Sequence, residues 1–320
     1  MPMPRLRLVP TETHWPFMRW RNFAFALTAA LTLLSAGAMY VQGFNFGIDF
    51  AGGIVMEVRT PERADLGKIR SHLSGLGLGE VALQEFGSPN DVLIRVQRQE
   101  GGDEAQKAAV DKVTAALRED VGEGISFRRT EFVGPKVSGE LIEGAVIATL
   151  ISLVGIMLYV WFRFEWQFGV GAAITTIHDV VMTLGFFAVT GYEFNLSSVA
   201  AVLTVMGYSI NDTVVVYDRI RENLRKFKTM DLQALIDLCV NQTLSRTVMT
   251  SITTLLALVA LVVFGGEVIR SFCASMIFGI LIGTYSSIFV AAPLLIHLKL
   301  RRGGQGAAAT TDQPASAGTA

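Results

Sequence analysis

The chain carries six long apolar windows separated by polar segments. A helix needs about 20 apolar residues to cross the hydrocarbon core of a bilayer, and each window is close to or above that length. The windows cover residues 22–42, 141–162, 167–190, 195–217, 247–264 and 268–298. A soluble core would instead mix apolar and polar positions at helical or strand spacing. We therefore expect an α-helical membrane protein with six transmembrane helices.

The longest internal polar region, residues 44–140, separates the first window from the other five and alternates strand and helix patterns. Its order, β-α-β-β-α-β, is that of a ferredoxin-like unit. The patterns predict strands at residues 54–59, 80–86, 92–97 and 126–133, helices at residues 64–76 and 104–119, and a turn at Ser88, Pro89 and Asn90. The region has no Cys/His cluster, phosphate loop or Ser/His/Asp arrangement. We expect an inserted α+β ferredoxin-like domain that docks or acts as a lever.

The distribution of Lys and Arg predicts how the chain is oriented, because basic loops favour the cytoplasmic side. Basic residues precede the first window, fill the segment after the fourth and follow the sixth, whereas residues 191–194 have none. We expect a multi-pass protein of the bacterial inner membrane with both termini in the cytoplasm. The predicted organisation is a cytoplasmic segment (1–21), transmembrane helix 1 (22–43), a periplasmic domain (44–140), transmembrane helices 2–6 (141–298) and a disordered cytoplasmic tail (299–320).

An alternative interpretation of the N-terminus is a cleaved signal peptide, since residues 1–38 combine a basic leader, an apolar run and a small-residue site at Ala36, Gly37 and Ala38. The apolar run continues past Ala38, and the leader carries aromatic residues suited to a membrane interface. An uncleaved first span is therefore favoured.

Composition narrows the classes of function. A net charge of −1 leaves no basic surplus for a nucleic-acid partner. The two cysteines, Cys239 and Cys273, have neither metal-ligand spacing nor a disulfide framework and are expected to be small buried groups. No nucleotide-binding or hydrolytic motif is present. We expect no cofactor, no metal and no enzymatic activity, and an ion gradient as the energy source.

Ionisable residues inside spans are costly and are candidates for function. Asp179 lies beside His178 in the third window, Asp212 lies in the fourth, and Arg246 opens the fifth, followed by Thr250 and two further threonines. A carboxylate, a cation and a ladder of hydroxyls predict a proton relay formed by Asp212, Arg246, Asp179 and Thr250. The alternative is that Asp212 and Arg246 only clamp two helices together, and His178 is more typical of helix packing. Gly279 and Gly283 have the small-xxx-small spacing that allows close helix approach.

Four longer motifs resemble those of the SecD and SecF protein-export family. The first, Phe-Asn-Phe-Gly-Ile-Asp-Phe-Ala-Gly-Gly, follows the first span, and the second, Val-Gly-Pro-Lys-Val-Ser, precedes the next span. The third covers residues 207–225 and the fourth residues 242–247. Besides the relay candidates, the motif residues are Gly47, Asp49, Gly52, Gly53, Gly134, Pro135, Gly207, Asn211, Asp218 and Arg219.

The resemblance covers about residues 17–300, and the small insert favours the SecF branch. It implies a half-transporter of the resistance-nodulation-division (RND) type. This half would pair with SecD, associate with the SecYEG channel and YajC, and use the proton-motive force to promote export of a translocating preprotein. It also implies that Asp212 and Arg246 are the proton-pathway residues. Asp179 lies in a His-Asp-Val-Val segment that is likewise typical of the family.

Two other functions remain open from the residues. A small-molecule exporter of the same superfamily usually has two halves and two large extracytoplasmic domains in one chain, whereas this chain has one half and a small insert. A scaffold without transport activity would need Asp212 and Arg246 only for helix packing.

Overall fold

The computed structural model describes residues 13–122, 124–265, 267–298 and 300. The first 12 residues of the predicted cytoplasmic segment, and the predicted disordered tail apart from Leu300, lie outside the described residues. The described part combines a bundle of long helices with one small antiparallel sheet.

Six helices in the described ranges are long and apolar enough to cross a membrane, which confirms the six predicted spans. The first five spans are α1, α5, α6, α7 and α8, with bounds Arg21–Gln42, Pro135–Arg163, Trp166–Thr190, Leu196–Lys226 and Leu232–Phe264. The sixth consists of α9 (Glu267–Ser286), a π-helical segment (Ser287–Ala291) and α10 (Ala292–His297).

Helices α7 and α8 are longer than their apolar windows. Helix α7 continues nine residues past the end of its window at residue 217, and α8 begins 15 residues before its window starts at residue 247. Both polar ends continue as helix. Arg225 and Lys226 occupy the last turn of α7, where basic side chains favour the negative end of the helix dipole. Asp231 caps α8 by accepting hydrogen bonds from the amides of Gln233 and Ala234. A hydropathy window detects only the part of a helix suited to hydrocarbon, so these ends were missed.

The inserted domain has the predicted order of elements. Its strands are β1 (Gly53–Arg59), β2 (Val81–Phe86), β3 (Ser88–Val96) and β4 (Ser126–Val133), and its helices are α3 (Leu66–Ser74) and α4 (Gly102–Val121). The antiparallel sheet has the order β2-β3-β1-β4, which confirms the ferredoxin-like topology. Ile54, Met56 and Val58 alternate along β1 and bury one face of the sheet under α3 and α4.

The predicted turn at Ser88, Pro89 and Asn90 is wrong. All three residues belong to β3, and the chain reverses at Gly87, whose φ is +80°. A positive φ favours glycine, and the strand register shifts between Glu85 and Phe86. Pro89 is the second residue of β3, and a missing N–H is tolerated at the start of a strand. Its preference for turns therefore did not decide the local structure.

Small residues allow the bundle to pack closely. Ser35 of α1 lies against Gly185 of α6, and Thr28 of α1 hydrogen-bonds to Tyr285 of α9 at 3.1 Å. Helix α1 is therefore packed as an integral part of the bundle. Gly279 lies against Val205 of α7, so the predicted small-residue contact is formed between α9 and α7.

Candidate functional site

Asp179 lies at the centre of the bundle and is fully buried, with 0% of its surface exposed. Its Oδ1 contacts Nδ1 of His178 at 2.8 Å. Its Oδ2 accepts hydrogen bonds from the Ser286 hydroxyl of α9, at 2.8 Å, and from the Ser209 hydroxyl of α7. The carboxylate is thus held by groups from three helices, which is how a buried carboxylate is stabilised in a dry interior.

Sequence analysis did not identify the two serines. Ser209 lies inside the third family motif, whereas Ser286 has no signal beyond a small polar residue in an apolar window. Gly283 explains how α7 reaches the cluster, because a Cβ at position 283 would lie only 3.1 Å from Cβ of Ser209. The absence of a side chain at Gly283 therefore lets α7 come close enough for Ser209 to donate a hydrogen bond to Asp179.

Asp212 follows Ser209 by three residues on α7, so the two lie on neighbouring turns of one helix face. It is buried, with 3% exposed. Its Oδ2 and the Thr247 hydroxyl of α8 have no hydrogen-bond partner in the described part of the chain, although the two side chains are close enough to interact. Buried polar atoms are nearly always paired with protein or water. The Thr247 hydroxyl is the neighbouring group that can donate to Asp212, and a carboxylate keeps acceptor capacity for a water molecule or a proton besides that bond.

Arg246 of α8 lies within electrostatic range of Asp212, so the two predicted relay residues are neighbours across α7 and α8. Among the described residues, however, Arg246 forms no ion pair within 4.0 Å, and its side chain is exposed on the surface of the bundle. Gly207 and Asn211 of α7 are exposed as well. Asp212 faces the interior and Arg246 faces outward, so this conformation contains no tight clamp between them.

The threonines of α8 do not form a ladder of hydroxyls. Thr250 is half-buried and donates to the carbonyl oxygen of Thr247 at 2.9 Å. The hydroxyl of Thr254 donates to the carbonyl of Thr250 at 3.0 Å. Each hydroxyl bonds to its own helix, as is common for Thr within helices. A relay through Thr250 needs water or a change of rotamer. A hydroxyl of α8 that does reach another helix is that of Ser251, which pairs with the Thr284 hydroxyl of α9 at 2.7 Å.

The first family motif joins the inserted domain to the bundle. The amide of Gly47 donates to the carbonyl of Phe194 at 2.9 Å. Asp49, in the short helix α2 (Ile48–Ala51), accepts a hydrogen bond at 2.9 Å from the amide of Leu196, the first residue of α7 after its N-cap Asn195. Gly52 and Gly53 both have positive φ angles, and a Cβ on Gly53 would lie 2.6 Å from the carbonyl oxygen of Val96. These glycines let β1 enter the sheet directly after the turn.

The remaining motif residues have structural positions at helix ends and surfaces. Gly134 is the N-cap of α5 and Pro135 is its first residue, a favoured position for proline. Asp218 pairs with Arg163 at 3.4 Å, and Arg219 pairs with Glu222 at 2.7 Å, at the end of the bundle away from the inserted domain. Cys239 and Cys273 are free and buried, as predicted.

Comparison with known proteins identifies relatives over nearly the whole chain. The family described as "Protein export membrane protein SecD/SecF, C-terminal" matches residues 112–301, and the "SecD/SecF GG Motif" matches residues 37–60. The protein translocase subunit SecF of Rickettsia felis is 48% identical over 297 residues, covering 93% of this chain and 96% of the relative. The Rickettsia prowazekii subunit of the same name is 47% identical, with 93% and 95% covered.

Solved structures give the same result for the fold. A crystal structure of SecDF, a translocon-associated membrane protein from Thermus thermophilus, superposes with a TM-score of 0.81 at 36% identity over 92% of this chain. A crystal structure of SecDF in a super-membrane-facing form gives a TM-score of 0.68 at 35% identity over 94% of this chain. In both cases the present chain spans 40% of the length of the matched chain.

Proposed function

Because this chain belongs to the SecD/SecF family of protein-export membrane proteins, we propose that it is the SecF half of a proton-driven auxiliary translocase. Relatives matched over nearly their full length are protein translocase subunits, so a role in protein translocation as a multi-pass membrane subunit follows directly. The proposal adds that the subunit works with SecD and uses the proton-motive force to promote preprotein export. It is a transport component and not an enzyme.

The observation that carries the proposal is the free hydrogen-bonding capacity at Asp212. Its buried Oδ2 lacks a partner in the described structure, the Thr247 hydroxyl beside it also lacks one, and the charge of Arg246 acts on the carboxylate. One proton that crosses 100 mV releases about 2.3 kcal/mol, which is enough to bias a two-state element almost fifty-fold. Protonation of Asp212 would weaken its attraction to Arg246 and so alter the α7–α8 interface.

Asp179 is proposed as the second station of the relay. Ser209 hydrogen-bonds to Asp179 and lies three residues before Asp212, so one helix face connects the two carboxylates. A serine hydroxyl both donates and accepts, which allows it to pass a proton when water completes the path. Thr250 would enter this path only after its hydroxyl leaves the carbonyl of Thr247.

The partner surface is proposed to be the exposed face of α7 and α8 around Gly207, Asn211 and Arg246. A charged guanidinium facing hydrocarbon costs at least about 2.5 kcal/mol, so a protein partner or water is expected to cover it. The matched SecDF chains are far longer than this chain, and SecD as a separate polypeptide would supply the remainder. Association with the SecYEG channel and YajC is proposed from family membership.

The proposed location is the bacterial inner membrane, with both termini cytoplasmic and the inserted domain in the periplasm. The fold supports this orientation, because the basic residues Arg163 and Arg219 lie at one end of the bundle. The inserted domain contacts the opposite end through Asn45, whose amide donates to the carbonyl of Gly191 at 2.9 Å.

The decisive variant is Asp212→Asn, assayed in vesicles that contain the complete complex. Gradient-driven export stimulation and coupled proton flux should fall at least about tenfold, because an amide cannot carry the proton. The amount of SecD that co-purifies should stay the same. Asp218→Asn, which removes a half-exposed carboxylate paired with Arg163 six residues further along α7, is the matched control and should retain flux.

Arg246 separates the proton-driven subunit from a passive scaffold. In a relay that needs a fixed positive charge, Arg246→Lys should keep part of the flux and Arg246→Gln should lose it. A scaffold predicts that both variants change complex abundance and flux to the same extent. Normal flux in Asp212→Asn with full assembly would refute the proton mechanism and leave the scaffold.

A further inference from the structure

The loop between α6 and α7 connects the helices that carry the two buried carboxylates. Helix α6 holds Asp179 and α7 holds Asp212, and the loop comprises the five residues 191–195. Both of its ends are bonded to the helices, because the amide of its first residue donates to the last turn of α6 at 3.0 Å and Asn195 is the N-cap of α7. The loop therefore moves together with the two helix ends.

The segment that follows the first span is bonded to this loop. The Phe194 amide donates to the carbonyl of Asn45 at 2.8 Å, and the Asn45 side-chain amide donates to the carbonyl of Gly191 at 2.9 Å. These bonds attach the connecting segment, which precedes β1. The sheet itself reaches the loop through a side chain of β3.

That side chain is Arg95, which forms an ion pair with Glu193 of the loop. Its Nη2 donates to Oε2 of Glu193, and its Nη1 donates to Oδ1 of Asn45 at 3.1 Å. The carbonyl oxygen of Glu193 accepts hydrogen bonds from the hydroxyls of Ser271 of α9 and Ser198 of α7, at 3.1 Å each. One loop residue thus joins the sheet of the inserted domain to two helices of the bundle.

The ion pair is partly shielded from solvent. The side chains of Arg95 and Glu193 are 23% and 27% exposed, so their attraction is screened less than that of a surface pair. Gly47 of the first family motif provides the room for the carboxylate, because a Cβ at position 47 would overlap Oε1 of Glu193. The geometry of the pair is therefore set by the surrounding backbone as well as by the two charges.

A cleft separates much of the sheet from the end of the bundle beside this contact. Its volume is about 800 Å³, and its walls include Val55 and Glu57 of β1, Tyr192 of the loop and Phe272 of α9. The face of the sheet opposite α3 and α4 is thus not packed closely against the helices. Domains without a large apolar interface are expected to move relative to each other, so the side chains that bridge the gap decide how such movement follows the bundle.

We propose that Arg95 and Glu193 are positioning residues that couple proton transfer at Asp179 and Asp212 to movement of the inserted domain. Protonation changes how α6 and α7 pack, the loop moves with the helix ends, and the ion pair passes the displacement to β3. This inference rests on the proposed function, because it needs a proton reaction at the carboxylates. It adds the residues that link this reaction to the domain.

Proton flux and export stimulation, measured in the same vesicles with the complete complex, test the proposal. Arg95→Gln and Glu193→Gln should each leave flux at the wild-type level. Gradient-driven export should fall at least about fivefold, the lower end of ordinary coupling between two sites. The double variant should export no less than either single variant, because both changes remove the same link.

Two further variants separate coupling from a general effect on stability. Arg95→Lys keeps the positive charge and should retain more export than Arg95→Gln. Arg63→Gln is the matched control, because it breaks an exposed ion pair with Glu85 that lies entirely within the inserted domain. Export per proton should stay unchanged in this control. The amount of full-length chain and of co-purifying partner reports folding, and Glu193→Gln, in the loop, replaces Arg95→Gln if the sheet variant does not accumulate.

Wild-type export per proton in Arg95→Gln and Glu193→Gln would overturn the proposal. An equal loss of flux and export in these variants would overturn it as well, since the ion pair would then support the proton path instead of coupling it to the domain. Failure of the proposed function has a different signature, namely normal flux in Asp212→Asn, whatever the result at Arg95.

Discussion

The Ser286 hydroxyl donates to Oδ2 of Asp179 at 2.8 Å, directly before α9 widens into its π-helical segment. Such π turns are frequent at functional sites, where they change the direction in which side chains point. Pro293 follows shortly after and has no N–H to donate, so regular α-helical bonding is interrupted in this region in any case. A local irregularity of the sixth span thus coincides with the central carboxylate of the bundle.

Ser286→Ala removes one of the donors to Asp179. A buried carboxylate that loses a donor should destabilise the protein by about 1–3 kcal/mol, which thermal unfolding of the complex in detergent would detect. Flux should fall as well if Asp179 is a relay station. Ser287→Ala is the matched control, because the Ser287 hydroxyl donates only to the carbonyl of Thr284. Equal destabilisation by the two variants would mean that the hydrogen bond from Ser286 to Asp179 contributes no more to stability than a hydroxyl bonded within its own helix.

Gly207→Leu tests the proposed partner surface. Gly207 is exposed, and a Cβ there would contact nothing within 4 Å, so the fold of this subunit should tolerate the change. A bulky side chain in a close helix–helix interface should reduce the amount of SecD that co-purifies. Gly155→Leu on α5 is equally exposed and unobstructed and should have no effect. The proposed surface is wrong if both variants assemble normally.

Asp49→Ala removes the acceptor of the Leu196 amide and leaves the N-cap of α7, Asn195, in place. The loss of one such hydrogen bond costs about 0.5–1.5 kcal/mol, and here it should loosen the attachment of residues 47–52 to the start of α7. Hydrogen exchange at the amide of Leu196 and in residues 47–52 should speed up, while exchange inside the sheet stays the same. Asp65→Ala, which removes the cap of α3, should accelerate exchange only within the inserted domain.

Asp91 makes the inserted domain sensitive to acid. The hydrogen-bonded Arg59 guanidinium, with the Ser88 hydroxyl and Arg128, lowers the pKa of Asp91 from 3.8 to about 2. Because the folded pKa is the lower one, the stabilisation is complete above about pH 4 and is lost as the pH falls towards 2.

Asp91→Asn should therefore destabilise the domain at neutral pH and flatten its acid dependence. Since Arg59 is about half exposed and screened by solvent, we expect a loss of about 1 kcal/mol. Exchange of the β1 and β3 amides, corrected for the intrinsic effect of pH, measures it. Asp111→Asn, at an exposed position on α4, is the control. An unchanged acid profile in Asp91→Asn would contradict the assignment.

Much of the fold could be predicted because its signals are local. The spans follow from the length of apolar runs, and the β-α-β-β-α-β order follows from periodicity. Elements were wrong or incomplete where another force prevailed over the local preference. The turn forms at Gly87, which adopts a positive φ, and not at Pro89. Helices α7 and α8 continue through polar residues beyond their apolar windows.

The sequence predicted which residues belong to the candidate site but not which groups they contact. Asp179, Asp212 and Arg246 stood out from the sequence because a charge in an apolar window is rare. The packing of α6, α7 and α9 decides the hydrogen bonds of the two carboxylates. Asp179 accepts hydrogen bonds from Ser209 and Ser286, whereas Oδ2 of Asp212 has no partner in the described part of the chain. The sequence by itself thus determined which segments cross the membrane and which ionisable groups enter it. The tertiary structure alone decided their partners and exposure, and the space left between helices, because these depend on contacts between residues far apart in the chain.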